Sequence, residues 1–347
     1  MFEERVSNIV NGNSAIGKTC ALSAMRPLLW IVVPCYNEEE VLPETSKRLA
    51  AKLDSLIARE MVSGGSRILL VDDGSSDATW RQIAALHDGN LNGVSAAPGV
   101  FCGLKLAHNA GHQNALFAGL MHAYRQGCDC AISLDADLQD DINAIDEMIE
   151  RHAEGAEIVY GVRNNRDTDT RFKRSTAEAF YSLMRFLGVE MVSDSADYRL
   201  MGKRSLGALS EFKETNLFLR GIVPSLGFAT AKVYYRRGER FAGESKYPLK
   251  KMVSFALEGI TSFSIAPVRL ITLIGVLAVI VSVVMILYAL ASLIMGSVVA
   301  GWTSLIVSIW LVGGLIMIAL GVVGEYVGRT YLEAKGRPRY IVDEVLE

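Results

Sequence analysis

Asp135 and Asp137 stand on alternate positions, Asp135-Ala136-Asp137, at the end of the apolar run Ala131–Leu134. Two carboxylates so spaced at the exposed tip of a buried strand suit a hard divalent cation carrying a diphosphate. Oxygen ligands of that kind favour Mg²⁺ or Mn²⁺. Alone the pair is a weak signal, because Asp-x-Asp also occurs in surface turns. Its company makes it informative: Asp72-Asp73-Gly74-Ser75-Ser76-Asp77 lies upstream, and Arg163, Arg166, Arg171, Lys173 and Arg174 crowd one segment downstream.

The elements that must position these groups alternate along the first two-thirds of the chain. Leu29–Pro34, Arg67–Val71, Phe101–Leu106, Ala131–Leu134 and Glu157–Gly161 read as strands. Between them, helical spacing covers Glu38–Glu60, Ser76 to about His87, Gln113–Arg125 and Ile142–His152. This alternation predicts an α/β domain built on a mostly parallel sheet, with ligands at the carboxyl ends of the strands. Both acidic motifs fall at such ends.

Composition bounds the function. The 347 residues are 50% hydrophobic and carry a net charge of −3. No extended basic face is evident, which argues against nucleic-acid binding. The five cysteines show neither Cys-x-x-Cys nor Cys/His metal spacing, as expected of reduced thiols in a cytosol-facing domain. Val268–Met295 and Trp302–Gly328 are each long enough to cross a bilayer core, which needs roughly 20 apolar residues. Lys250, Lys251 and Arg269 precede this hairpin, and Arg329, Lys335, Arg337 and Arg339 follow it. The positive-inside rule then places both flanks and the catalytic domain at the cytoplasmic face of a multi-pass plasma-membrane (inner-membrane) protein. The expected organisation is an extension over 1–26, a catalytic domain over 27–246, an interfacial region over 247–265, the hairpin over 266–328 and a cytoplasmic tail over 329–347. In Tyr247–Ser264 lysines face one way and apolar residues the other, which fits a helix on the leaflet surface and equally a packed surface helix.

Gly12-Asn-Ser-Ala-Ile-Gly17-Lys18-Thr19 satisfies the phosphate-loop pattern letter for letter. Such a loop needs an apolar strand before it and a helix after it. The half-polar run Arg5–Asn11 and the early Pro27 supply neither, so nucleotide binding is not assigned there.

The remaining motifs form an ordered set: Val33-Pro34-Cys35-Tyr36-Asn37-Glu38, Asp72–Asp77, Asp135-Ala-Asp137-Leu138-Gln139, Asp197-Tyr198-Arg199-Leu200 and Gly243-Glu-Ser245-Lys246-Tyr247. In this set the chain resembles the family 2 glycosyltransferases of GT-A fold. Within them it is most similar to the polyprenyl-phosphate type, such as bactoprenol glucosyltransferases and dolichol-phosphate mannose synthases. The likeness covers roughly residues 28–330.

The resemblance implies residue roles. Pro34, Tyr36 and Glu38 would border the base and ribose, and Asp73 would accept a hydrogen bond from uracil. A turn and helix cap also account for Asp72–Ser76. Asp135, Ala136 and Asp137 would lie against ribose and metal, with Gln139 as a further metal ligand. Gly111-His112-Gln113-Asn114 would open a helix near the donor; His112 could equally be a surface residue. Arg240 and Lys246 would close over the diphosphate. Arg163, Arg171, Arg174 and Ser245 would take the acceptor phosphate, since guanidinium grips phosphate bidentately. A solvated loop balanced by Asp167 and Asp169 is the plainer account of that cluster.

The implied reaction is inverting transfer of a hexose from a UDP-sugar to undecaprenyl or another polyprenyl phosphate, with Mg²⁺ or Mn²⁺ as cofactor. Glucose is the first choice of sugar, from the likeness of Asp197–Leu200. Asp197 would stand at the acid/base position, or orient the attacking phosphate, with Asp194 as a competitor. A processive polysaccharide synthase would share this core, but its Gln-x-x-Arg-Trp motif is not found. A membrane scaffold or flippase partner is the rival from another class. The spacing of Gly324 and Gly328 permits close helix packing, within the hairpin or in a homo-oligomer.

Overall fold

The computed structural model describes residues 26–164 apart from 92, 95 and 98, then 195–214, 217–236, 238, scattered positions between 268 and 288, and 301–347. The phosphate-loop-like segment, the interfacial region and half of Val268–Met295 lie outside these residues.

One eight-stranded sheet organises the domain, in the order β7-β5-β6-β4-β1-β2-β3-β8. The strands are β1 (Leu29–Cys35), β2 (Arg67–Asp72), β3 (Phe101–Leu106), β4 (Cys130–Ser133), β5 (Ile158–Arg163), β6 (Ser195–Gly202), β7 (Thr230–Tyr235) and β8 (Val342–Leu346). β1 pairs in parallel with β2 and β4, β2 with β3, and β5 with β7. β6 runs antiparallel between β4 and β5, and β8 runs antiparallel on β3. The sheet is therefore mixed, of the GT-A kind.

Buried parallel strands need apolar residues on both faces, and β1 is buried at every position. Leu29, Ile31 and Val33 point into one core layer with α1 (Leu42–Ala58), α2 (Thr79–His87) and α4 (Ala144–Ala153). Trp30 and Val32 point into the other, with α3 (His112–Arg125), α5 (Lys203–Ser210) and α6 (Leu219–Ser225). α1 starts at Leu42 rather than Glu38, and the chain before it is fastened to the segment after β2. Glu38 N donates to Thr79 Oγ1 at 2.9 Å and Glu39 N to Asp77 Oδ2 at 3.2 Å.

α3 lies close on the sheet where Gly119 meets it. A Cβ at Gly119 would stand 2.4 Å from Val32 Cγ1 and 2.7 Å from Val71 Cγ2, both on buried, branched side chains. Overpacking of this kind costs about 1–3 kcal/mol. Gly119→Ala is accordingly expected to lower the thermal midpoint by several degrees, read by scanning fluorimetry; an unchanged midpoint would mean that α3 rides freely over the sheet.

α7 (Trp302–Ala334) is the long apolar helix, and Val312–Ala334 has a mean hydropathy of 1.4 with none of its most apolar stretch buried in the protein. Among the described residues it is the one helix long and apolar enough to cross a bilayer. The chain then returns to the domain. Arg339 stacks 4.6 Å from the Phe117 ring and reaches the Phe212 carbonyl, and β8 covers the β3 edge. Lys105 pairs with Asp343 at 2.9 Å, and Trp80 Nε1 donates to Glu344 Oε2 at 3.2 Å. The segment read as a tail thus ends as a strand of the sheet, and capping an edge strand hides its unpaired backbone groups.

Candidate active site

β1, β2 and β4 end on the rim of the sheet where the antiparallel β6 begins. The loops after β1 and β2 are fastened to each other. Asn37, at a φ of 54°, donates from its backbone to Ser75 Oγ at 3.0 Å, and its Oδ1 accepts from Ser76 N at 2.9 Å. Pro34 lies in β1 opposite Val71, and Tyr36 leaves the strand end 48% exposed.

Asp73 is buried and accepts from Ala110 N at 2.7 Å and Gly111 N at 3.0 Å. It therefore anchors the turn that opens α3, a role the sequence reading lacked. Each oxygen keeps a second lone pair for a ligand donor. Gly74, at a φ of +69°, makes this contact possible, since a Cβ there would be 2.6 Å from Asn109 N.

The anchored turn delivers His112 and Gln113 to the centre of the site. His112 Nε2 stands 3.6 Å from Asp135 Oδ1 and 3.5 Å from Asp197 Oδ2, bridging the metal motif and the acid/base candidate. Partial burial lowers its pKa, but the Asp197 hydrogen bond and the charges of Asp135 and Asp197 outweigh this and raise it. Gln113 donates from Nε2 to Asp197 Oδ2 at 3.1 Å while its Oε1 accepts from Leu219 N at 3.1 Å. Its amide thereby ties Asp197 to the start of α6.

Asp197 is the hub. It sits in β6, 4% exposed, with Arg199 Nη2 at 2.6 Å from Oδ1 and Arg220 Nη2 at 3.0 Å from Oδ2. Burial alone would raise its pKa. The His112 hydrogen bond and the charges of Arg220, Arg199 and His112 instead hold it well below the ordinary carboxylate range. Arg220 escaped the sequence reading, and Arg199 entered it only as part of the Asp197–Leu200 motif, without the ion pair that its place two residues after Asp197 on one face of a strand allows.

Asp135 is partly buried, and its Oδ1 accepts no hydrogen bond. Burial pushes its carboxyl up to about 6, against the opposing charge of His112. Asp137 Oδ1 accepts from Gln139 N at 3.1 Å, and the Ala136 carbonyl accepts from Thr45 Oγ1 at 2.8 Å. Gln139 is buried at 8% exposure rather than solvated. Among the described residues, no three His, Cys, Asp or Glu side chains cluster tightly enough to hold a metal by themselves. An orphaned carboxylate oxygen beside a second carboxylate nevertheless fits a hard cation that shares oxygens with its ligand, as a nucleoside diphosphate would provide.

Arg163 closes the rim at the end of β5, held by Tyr235 and Asp140. Glu38 lies in the fastened loop after β1. Arg171, Arg174, Arg240, Ser245 and Lys246 lie outside the described residues. The start of the segment carrying the last three is tied to the metal-motif loop, since Gly238 N donates to the Gln139 carbonyl at 2.9 Å.

Comparison with known proteins agrees with this geometry. Residues 30–210 match Glycosyl transferase family 2. The chain is 52% identical over 92% of its length, and 92% of the relative's, to the uncharacterized glycosyltransferase YkoT of Bacillus subtilis (strain 168). It is 40% identical to the prophage bactoprenol glucosyl transferase homolog of Escherichia coli (strain K12), over 91% of this chain and 98% of that one. The SfII prophage-derived bactoprenol glucosyl transferase of Shigella flexneri is 38% identical over 90% of this chain and 96% of its own. With a GT-A sheet whose strand tips carry the family's acidic motifs, this chain belongs to glycosyl transferase family 2, and it is a glycosyltransferase.

Proposed function

We propose that the enzyme transfers a hexose, glucose in the first instance, from UDP to a polyprenyl phosphate such as undecaprenyl phosphate, inverting the anomeric carbon. The observation that carries this reading is the state of Asp197. A sugar hydroxyl must lose its proton to attack, and the carboxylate best placed to take it is held ionised and weakly basic by Arg199, Arg220 and His112. A phosphomonoester needs no such base: its second pKa lies near 6, so at pH 7 most of it is already a dianion. The names of the bactoprenol glucosyl transferase relatives support the same acceptor class.

The residues divide the work. Tyr36, the Pro34–Glu38 loop and Asp73 receive the nucleoside. Asp135 and Asp137, with Gln139, would hold Mg²⁺ or Mn²⁺, and such a cation would supply charge neutralisation for a departing diphosphate. Arg240 and Lys246 add cationic charge to the same anion. Arg163, Arg171, Arg174 and Ser245 receive the acceptor phosphate. Asp197 orients the reacting groups by fixing His112, Gln113 and Arg220, and its negative charge steadies the positive anomeric centre. α7 and the segment Val268–Met295 form the hairpin that brings this rim to the cytoplasmic side of the plasma membrane, in a protein that assembles as a homo-oligomer.

Incubation of the detergent-purified protein with labelled UDP-glucose, Mn²⁺ and undecaprenyl phosphate tests the proposal. The expected product carries one labelled hexose per lipid, and a chelator should abolish its formation until metal is restored. Label in a growing polymer would instead identify a processive synthase. Absence of label from every lipid, with UDP-galactose and UDP-N-acetylglucosamine also tried, would refute the polyprenyl-phosphate acceptor.

A further inference from the structure

Arg163 opens the basic segment proposed to hold the acceptor phosphate, yet its guanidinium already has partners of its own. Nε donates to Tyr235 Oη at 3.1 Å, and Nη2 stands 3.4 Å from Asp140 Oδ1. Tyr235 Oη donates to that same Asp140 oxygen at 2.5 Å. Asp140 is 4% exposed, and its other oxygen accepts no hydrogen bond, so Tyr235 and Arg163 supply what satisfies this buried carboxylate.

Asp140 belongs to the loop that carries Asp135 and Asp137. The loop turns through Leu138 at a φ of 57°, a backbone region that a side chain larger than glycine occupies at a cost and only when its surroundings impose it. Those surroundings are the ends of three strands. Tyr235 and Gly238 at the end of β7 hold Asp140 and the Gln139 carbonyl, Tyr198 of β6 donates to the Asp141 carbonyl at 3.0 Å, and Arg163 of β5 reaches Asp140. The metal-motif loop and Arg163 are thus joined through one carboxylate. The Arg163 contact to it is long, and its side chain is 27% exposed, which leaves guanidinium edge for a phosphate.

We infer that Tyr235 and Asp140 are positioning residues that share Arg163 with the acceptor phosphate, so that acceptor binding and the setting of the donor loop form one coupled event. The coupling rests on the phosphate acceptor proposed above; the clamp itself does not. When the phosphate draws on the Nη atoms of Arg163, Nε still holds Tyr235 and, through it, Asp140, so that seating the acceptor sets the loop that carries Asp135 and Asp137 for the donor.

Two measurements on the full chain in detergent test this. In Tyr235→Phe, amide hydrogen exchange at Gln139–Asp141 is expected to accelerate about tenfold without substrate present. Unchanged exchange would overturn the clamp, whatever the acceptor proves to be. In the transfer assay, Tyr235→Phe and Arg163→Lys should each lower kcat/KM for undecaprenyl phosphate about tenfold, and the double variant should be no worse than Arg163→Lys, because the two act as one unit. Losses that multiply to about a hundredfold would overturn the coupling. Should Tyr235→Phe fail to fold, Asp140→Asn keeps the shape of the side chain, removes its charge and serves in both arms. A wild-type enzyme that glycosylates no lipid phosphate would refute the acceptor reading while the exchange result still decides the clamp.

Discussion

Asp137→Ala is expected to lower hexose transfer roughly 10³-fold, with little change in thermal stability. In the proposed reaction the leaving UDP gains negative charge as its bond to the sugar breaks, and stabilising that charge in a preorganised site is worth several kcal/mol. Asp137 is one of the two carboxylates proposed to hold the cation, and it is only partly buried, so its removal leaves no large cavity. The diagnostic measurement is UDP affinity with and without Mn²⁺. Wild type should bind UDP more tightly when metal is added, and Asp137→Ala should lose that increment. A variant that still transfers sugar in a metal-dependent way would remove the Asp135/Asp137 pair from the mechanism.

Asp197→Asn should also lower activity, by about 10²-fold or more, and should be far worse for stability. Truncating one partner of a buried charge pair leaves the other uncompensated, at a cost of about 3–5 kcal/mol. Here Arg199, 2% exposed, would be that partner. The pH dependence carries the sign. The folded pKa of Asp197 is depressed below the unfolded value near 3.8, so its stabilising contribution is complete above that value and is lost as pH falls below it. Denaturant titrations from pH 7 to pH 3 should show wild type losing its advantage over Asp197→Asn only at the acid end. For catalysis, the loss in kcat should be the same at every pH from 5 to 8. An acidic limb of the wild-type profile that disappears in Asp197→Asn would restore the general-base role and remove the main support for a phosphate acceptor.

The first five strands and four helices are legible in the sequence to within a few residues. Buried parallel strands show as uninterrupted apolar runs, and the covering helices show apolar spacing on one face. β6 is not legible, because Asp197 and Arg199 interrupt Ser195–Gly202 with charges that read as loop until they pair inside the protein. β7 and β8 are edge strands with mixed or acidic character, Thr230–Tyr235 and Val342–Leu346, so neither has an apolar signature. The acidic motifs of the site declared themselves because their spacing is local. Arg220 meets Asp197 from 23 positions away and Tyr235 meets Asp140 from 95, distances over which only the topology of the sheet can bring partners together. His112 is an intermediate case. Its place at a helix start was readable, while its position between two carboxylates was not.

The pairing of β8 with β3 also sets an order of events during synthesis. Trp80 and Glu344 are 264 positions apart. Lys105 of β3 and its β8 partner Glu344 are 239 positions apart, so at a translation rate of about 5–20 residues per second the open rim of β3 waits roughly 12–48 s. Throughout that interval α7 must emerge and find its own environment before the sheet can be completed. A ribosome stalled within α7 would therefore release a domain with a bare, hydrogen-bonding border, and such nascent chains should depend on chaperones far more than the finished enzyme does.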